Sequence, residues 1–436
     1  MSGQRPRPSG PRGPSRAAAP GFLRAAPLGP LSALLALVLA AALSLAFLFG
    51  DLGALPFGRT SGGDGGGGGG GGAADHTPNP SVVYTPPPVA RPGYKGTILF
   101  VKAGDIWAID STAVRRLTSD ANDSSPSWSP DGSTIYYVQT RSKHGPAVYQ
   151  GVAQNYDLEY PVIMRRPSVG GGSAAVVRNG LYSTGGGHYW FSWNLQPELS
   201  PDAETLAMVS NADAPNGGNV VLSLMPAAGG TVTTPNLPSY TALGHSDPAW
   251  NPKGTAIAFT YQARAASDPS LAAPRIALYA VSTKRYRFLT GPGYGRPSWS
   301  PDGQWIAAES VENGRGRDVV ILDASSGAEV ARLTNDGQSF APVWSPDGSW
   351  IAFLHVDGIS IDLELVQLGP GKPFAVIKTW RLTTDSQLDG PSGLAWWTPA
   401  SDLPTEPTTP AATPTPTPAP TASPSSDLGG SPTPTP

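Results

Sequence analysis

The chain has no cysteine, which excludes disulfides, thiolate nucleophiles and cysteine metal sites together. That absence suits an exported domain held by packing alone and suits the cytosol equally, so it does not fix location. Histidine is scarce: His76, His144, His188, His245 and His355 stand singly, without the spacing of a metal centre. A G-x-S-x-G elbow, an H-E-x-x-H pair and a Walker loop are all missing. Net charge is small as well, and a net −3 with no basic stripe gives no support for nucleic-acid binding. Between the apolar runs there is no helical periodicity, which argues against an α/β solenoid. The expectation is a non-enzyme with no cofactor, no metal and no catalytic residues.

What is abundant is a repeat. Trp128, Leu199, Trp250, Trp299 and Trp344 begin W-S-P-D-G, L-S-P-D-A, W-N-P-K-G, W-S-P-D-G and W-S-P-D-G, and a short hydrophobic run begins six residues after each. Proline presets φ, aspartate bonds the backbone beyond it, and glycine takes a left-handed turn, so each copy reads as a β-hairpin. The tryptophan before the turn is too large for one hairpin to bury and needs a neighbouring repeat. A Leu-Thr pair closes several repeats, at Leu117-Thr118, Leu289-Thr290, Leu333-Thr334 and Leu382-Thr383. With one more apolar run between, the count is four strands per repeat. Successive anchors stand 71, 51, 49 and 45 residues apart, the spacing of β-propeller blades.

The two ends of the repeat region complement each other. Residues 97–101, 105–110 and 114–118 read as strands two to four of a blade with no first strand, and residues 395–399 read as a first strand with nothing after it. Joined, they make a sixth blade that closes the ring and removes open sheet edges. Whether Trp396 or Trp397 takes the anchor position is open, because they follow Pro391 by five and six residues where other repeats have two.

These P-x-W-S-P-D-G copies resemble the repeats of TolB-like six-bladed propellers, which are related to the non-catalytic propellers of prolyl-oligopeptidase-type and tricorn-type proteases. The resemblance covers residues 94–399 and implies an all-β six-bladed propeller that contacts proteins. Blades two and three depart from the pattern at Leu199, Ala203, Asn251 and Lys253, which bears on the local turns.

The flanks set the expected topology. Residues 1–27 are a basic, Pro/Ser/Gly-rich segment expected to be disordered and cytoplasmic. Residues 28–50 read as a transmembrane signal anchor, since 28–49 as a helix would span about 33 Å. Arginines before it and Asp51 after it place the propeller outside the membrane. The rival is a cleaved signal peptide, whose apolar region is ordinarily about 7 to 15 residues. Residues 51–93, with a glycine run and then a proline-rich stretch, read as a linker, and 400–436 as a disordered Pro/Thr-rich tail.

Two insertions make the first full repeat the longest: residues 141–159 and 185–193. Loops on a rigid scaffold commonly carry function, so His188, Tyr189, Trp190 and Trp193 are the candidate binding residues. The competing reading places the aromatics in the first strand of the next blade. Arg315, Arg317 and Asp318 read as a solvated loop rather than an anion site. The function expected is a membrane-tethered, single-pass, extracytoplasmic scaffold that binds a protein or cell-envelope component. The alternatives are a hydrolase-like propeller with its site in the central funnel, or a ligand sensor.

Overall fold

The computed structural model describes residues 91–403 apart from 150, 171, 184–185, 212–219, 238–243, 263–272, 313–315 and 372–373. The reading of 1–90 as basic segment, anchor and linker, and that of the tail beyond 403, lie outside the described residues.

Among the described residues, six antiparallel sheets form the blades and a seventh sheet is a two-stranded hairpin, Leu181–Ser183 with Tyr189–Phe191. Blade 1 runs Asp123–Trp128, Thr134–Tyr149, Val152–Pro167, Ala175–Asn179. Blade 2 is Asn194–Leu199, Thr205–Ser210 and Val221–Pro226, with its fourth strand reduced to one bridge, Leu224 to Thr233. Blades 3, 4 and 5 each have four strands, opening with His245–Trp250, Tyr294–Trp299 and Ser339–Trp344. Blade 6 joins Ala395–Trp397 to Thr97–Lys102, Asp105–Ile109 and Val114–Arg116. No α-helix occurs among the described residues, only one 3-10 turn, Ala400–Asp402.

The closure expected from the two ends is present. Thr97 lies opposite Trp397, Ile98 opposite Trp396 and Leu99 opposite Ala395. The same register decides the anchor. Trp128, Leu199, Trp250, Trp299 and Trp344 each face the second residue of the next strand, Ile135, Leu206, Ile257, Ile306 and Ile351. Trp396 faces Ile98 in the same way, so Trp396 is the sixth anchor.

Side chains alternate along each second strand, so each blade offers one apolar face to the blade before it and another to the blade after. Ile306 and Ala308 pack into the cluster shared with blade 3, whereas Trp305 and Ala307 pack into the one shared with blade 5. Six such clusters fill the six junctions, the last joining Trp350, Ala352 and Leu363 of blade 5 to Ile98, Phe100 and Trp396 of blade 6. Indole nitrogens add links between blades: Trp250 Nε1 donates to the Glu198 carbonyl at 3.1 Å and Trp299 Nε1 to that of Ala249 at 3.1 Å.

The repeated polar residues hold turns. Ser129 Oγ donates to Asp131 and accepts the Thr134 N–H at 3.0 Å, and the pattern recurs at Ser200, Ser300 and Ser345. Blade 3 reaches the same turn by other means, since Asn251 Oδ1 accepts the N–H groups of both Thr255 and Ala256. Ala203 takes the glycine's place at φ +62°. Each threonine of the Leu-Thr pairs accepts a third-strand N–H, as Thr118 Oγ1 does from Ile106 at 2.9 Å.

Two expectations change. Residues 141–159 are not a loop: strands two and three of blade 1 run on in unbroken register to the Tyr149–Val152 pair, forming a two-stranded ribbon. Arg317 and Asp318 are not solvated either; both lie in Gly316–Asp323 with side chains 13 % and 8 % exposed. Blade 4 supplies each with a partner, Glu309 for Arg317 and Arg332 for Asp318, and that pairing makes their burial tolerable. Arg315 lies outside the described residues.

Candidate functional site

The inner strands of blades 1 to 5 each carry a bulge at the same place. The ladder skips between Ser124 and Ser127, Leu195 and Glu198, Ser246 and Ala249, Gly295 and Ser298, and Phe340 and Val343. The first skipped residue is left-handed in each: Ser125 (φ 49°), Gln196 (52°), Asp247 (52°), Arg296 (50°) and Ala341 (51°). A proline follows each one, and at an unpaired position its missing N–H leaves no orphan donor. In blade 6 the matching residue, three before the anchor, is Gly393 at φ +66°. Non-glycine side chains resist this conformation, so a ring of them marks a place where the fold holds strain to aim side chains.

All six residues line one cavity of about 590 Å³ at the centre of the ring, walled by the inner strands of all six blades. Its chemistry is one-sided, because Gln196, Asp247 and Arg296 fill adjacent positions while Ser125, Ala341 and Gly393 are small. Gln196 Nε2 donates to Asp247 Oδ1 at 2.9 Å, and its Oε1 accepts the Asp247 N–H at 2.8 Å. Arg296 reaches past blade 5 and donates to the Gly390 carbonyl at 3.0 Å.

Behind Arg296 sits Glu309, 3.5 Å from its Nε and 3.3 Å from that of Arg317. Both guanidinium groups also lie over the Phe340 ring, at 5.7 and 5.4 Å from its centroid. The equivalent second-strand positions hold Val138, Val209, Thr260, Leu354 and Val101, so this carboxylate is peculiar to blade 4. Burial pushes Glu309 up, and the two arginines pull it back down.

One step along the inner strands, the residue before each anchor is Ser127, Glu198, Ala249, Ser298, Val343 or Ala395. Glu198 lines the cavity, and its carboxylate has no hydrogen-bond or ion-pair partner among the described residues. Desolvation pushes that carboxyl up to about 8.

The four residues singled out in the sequence lie elsewhere; none lines the cavity. Tyr189–Phe191 pairs with Leu181–Ser183 in a separate small hairpin, not in the first strand of blade 2. This hairpin leans on the ribbon: the Tyr189 ring lies where any Cβ on Gly145 would stand, 2.6 Å from it, and Lys143 Nζ sits 5.4 Å from the ring centroid. Trp190 lies opposite Tyr182 and is half-buried. Trp193 stays 37 % exposed with its ring edge-on to Phe191 at 5.4 Å, and the half-buried His188 precedes the hairpin strand. The sequence signal for the cavity was the residue before each blade-opening proline.

A second buried acid gives a stability test. Asp123, in the inner strand of blade 1, leaves Oδ2 without a hydrogen bond. Desolvation pushes it up to about 6, against hydrogen bonds from Thr118 and Gln139 and with repulsion from Asp120 and Asp105. The native state then holds this proton more tightly than the unfolded chain, so stability falls as pH rises from about 4 through about 6. Asp123→Asn should remove that slope and raise stability at neutral pH by about 1–2 kcal/mol after solvent screening. Urea midpoints of both proteins at about pH 4 and pH 7 give the answer.

No family model matches the chain and no curated protein does. Among solved structures it is similar to TolB from Acinetobacter baumannii, at 20% identity and a TM-score of 0.51, over 69% of this chain and 66% of that one. A chain of a nidogen/laminin complex aligns at 13% identity and TM-score 0.45, covering 69% and 97%. A puromycin-hydrolyzing peptidase of Mycobacterium tuberculosis aligns at 16% and 0.35, covering 59% and 41%. The chain thus spans just under two thirds of the Acinetobacter TolB. The fold is that of a TolB-like six-bladed propeller.

Proposed function

We propose that this chain is a non-catalytic propeller, tethered through residues 28–50 and held outside the membrane, that binds a protein of the cell envelope at the mouth of its central cavity. The observation that carries this reading is the ring of left-handed residues, which places Gln196, Asp247 and Arg296 around one open cavity. The TolB-like fold agrees with it, although fold alone does not transfer a partner. The test places a photo-crosslinking residue at Ser125, on the cavity, or at Val376, on the outer strand of blade 5, in the full-length chain in whole cells. One protein should be captured from Ser125 and not from Val376. Equal capture from both, or none from Ser125, removes the reading. Protease added outside the cells should degrade the propeller; full protection would sink the topology.

The enzyme reading has in its favour the place of Glu198, an unpartnered carboxyl lining the funnel whose pKa desolvation raises, as a general acid requires. Turnover of a peptide or glycan by the full-length chain, lost in Glu198→Gln, would replace the binding role.

A further inference from the structure

We propose that the cavity selects an organic cation, the size of a lysine side chain, and that Glu198 is the residue that receives it. This rests on the cavity being the binding site argued above. Three ionisable residues line the cavity: Glu198, Asp247 and Arg296. The positive one is already engaged, by Glu309 at 3.5 Å and the Gly390 carbonyl at 3.0 Å. Asp247 accepts from Gln196 and Ser246. Glu198 alone has no counterpart, and the residues matching it in the other five blades are serine, alanine or valine. Glu198 is half-buried, so its carboxylate is poorly hydrated yet open to the cavity, and an incoming ammonium group supplies the missing partner. Of the tryptophans that also line the cavity, the half-buried Trp299 keeps exposed aromatic surface, which favours an alkylammonium. Residues 404–436 contain no lysine or arginine, so that stretch does not supply the cation.

Binding a cation makes Glu198 give up its proton, so affinity rises with pH. Other ionisable groups on the strands packed against it have partners: Asp123 takes Gln139, Arg141 takes Gln139, and His245 Nδ1 accepts the Leu222 N–H. Those strands also carry Tyr136, Tyr137, Lys143, Tyr156, Glu159, Tyr160, Arg165 and Arg166, the exposed His144–Asp157 ion pair and the Asp247 already described, and desolvation is the cause of the Glu198 shift.

The test titrates the full-length chain in detergent with Nα-acetyl-lysine methylamide and follows tryptophan fluorescence. Its Nε-acetylated, neutral analogue is the control. The charged probe should bind saturably, at least about ten-fold more tightly at about pH 9 than at about pH 6, and the neutral one should not. In Glu198→Gln, affinity should drop about ten-fold or more and lose its pH dependence, while the circular dichroism spectrum stays that of the wild type and the melting temperature at neutral pH does not fall. Equal binding of both probes, unchanged binding in Glu198→Gln, or no binding at all overturns the proposal. If the Ser125 crosslink persists while the charged probe fails, only the cation preference falls. If the wild type loses the crosslink, the binding reading falls with it.

Discussion

Replacing Trp396 by alanine should lower the stability of the propeller by about 3–5 kcal/mol, the range for emptying a large buried aromatic site. Its indole is 8 % exposed, meets Tyr94 edge-on at 5.5 Å and donates to the Lys95 carbonyl at 2.9 Å. It also sits in the cluster joining blade 5 to blade 6, where only three residues of Ala395–Trp397 complete the sheet. The loss is therefore larger than for the neighbouring Trp397→Ala. Trp397 is half-buried, stacks on Trp128 at 5.7 Å and donates to the Pro130 carbonyl at 3.1 Å, and its removal should cost about 1–2 kcal/mol. Urea unfolding followed by circular dichroism measures both. Equal losses, or a loss below about 1 kcal/mol for Trp396, would mean that the ring is not closed through this residue.

The second large effect is expected at Glu309. Leucine is what blade 5 has at the matching position, so Glu309→Leu looks conservative by repeat comparison. It should nevertheless destabilise by about 3–5 kcal/mol, because it removes the carboxylate that the two buried guanidinium groups of Arg296 and Arg317 share. Their side chains are 17 % and 13 % exposed, too little for water to stand in for the carboxylate. Adding Arg317→Met to Glu309→Leu should recover a measurable part of the loss, since one of the two positive charges that faced the carboxylate goes with it. If the double variant is less stable than Glu309→Leu alone, the ion-pair account is wrong and Arg317 contributes by packing.

Much of the architecture was readable from spacing. The fixed offset from anchor to second strand, and two incomplete ends that complement each other, gave six blades and their closure. Local chemistry gave less. Gly145-Pro146 in the middle of residues 141–159 looks like a strand break, yet Gly145 pairs with Tyr156 and Pro146 with Asn155, because an isolated ribbon has a free edge that tolerates a missing donor. The choice between Trp396 and Trp397 was hidden because Leu394, not a proline, stands two residues before the anchor of blade 6. Arg317 and Asp318 were read as solvated by the general habit of charges. Aligning the blades and asking which one breaks the apolar column at Glu309 would have found their partners. The cavity ring was least legible, since it is defined by a backbone conformation that no single residue type announces. The aromatic cluster at 189–193 drew attention for its composition and turned out to brace the ribbon.

The sixth blade has one more consequence, and it is mechanical. The chain enters the disc at Lys95 and leaves it at Asp402, whose carbonyl accepts the Lys95 ammonium at 2.8 Å. A pull applied through either flank, or through both in opposite directions, loads the short seam between Ala395–Trp397 and Thr97–Leu99 first, while the five other blades hang from it unstressed. Yielding under tension would begin at that seam.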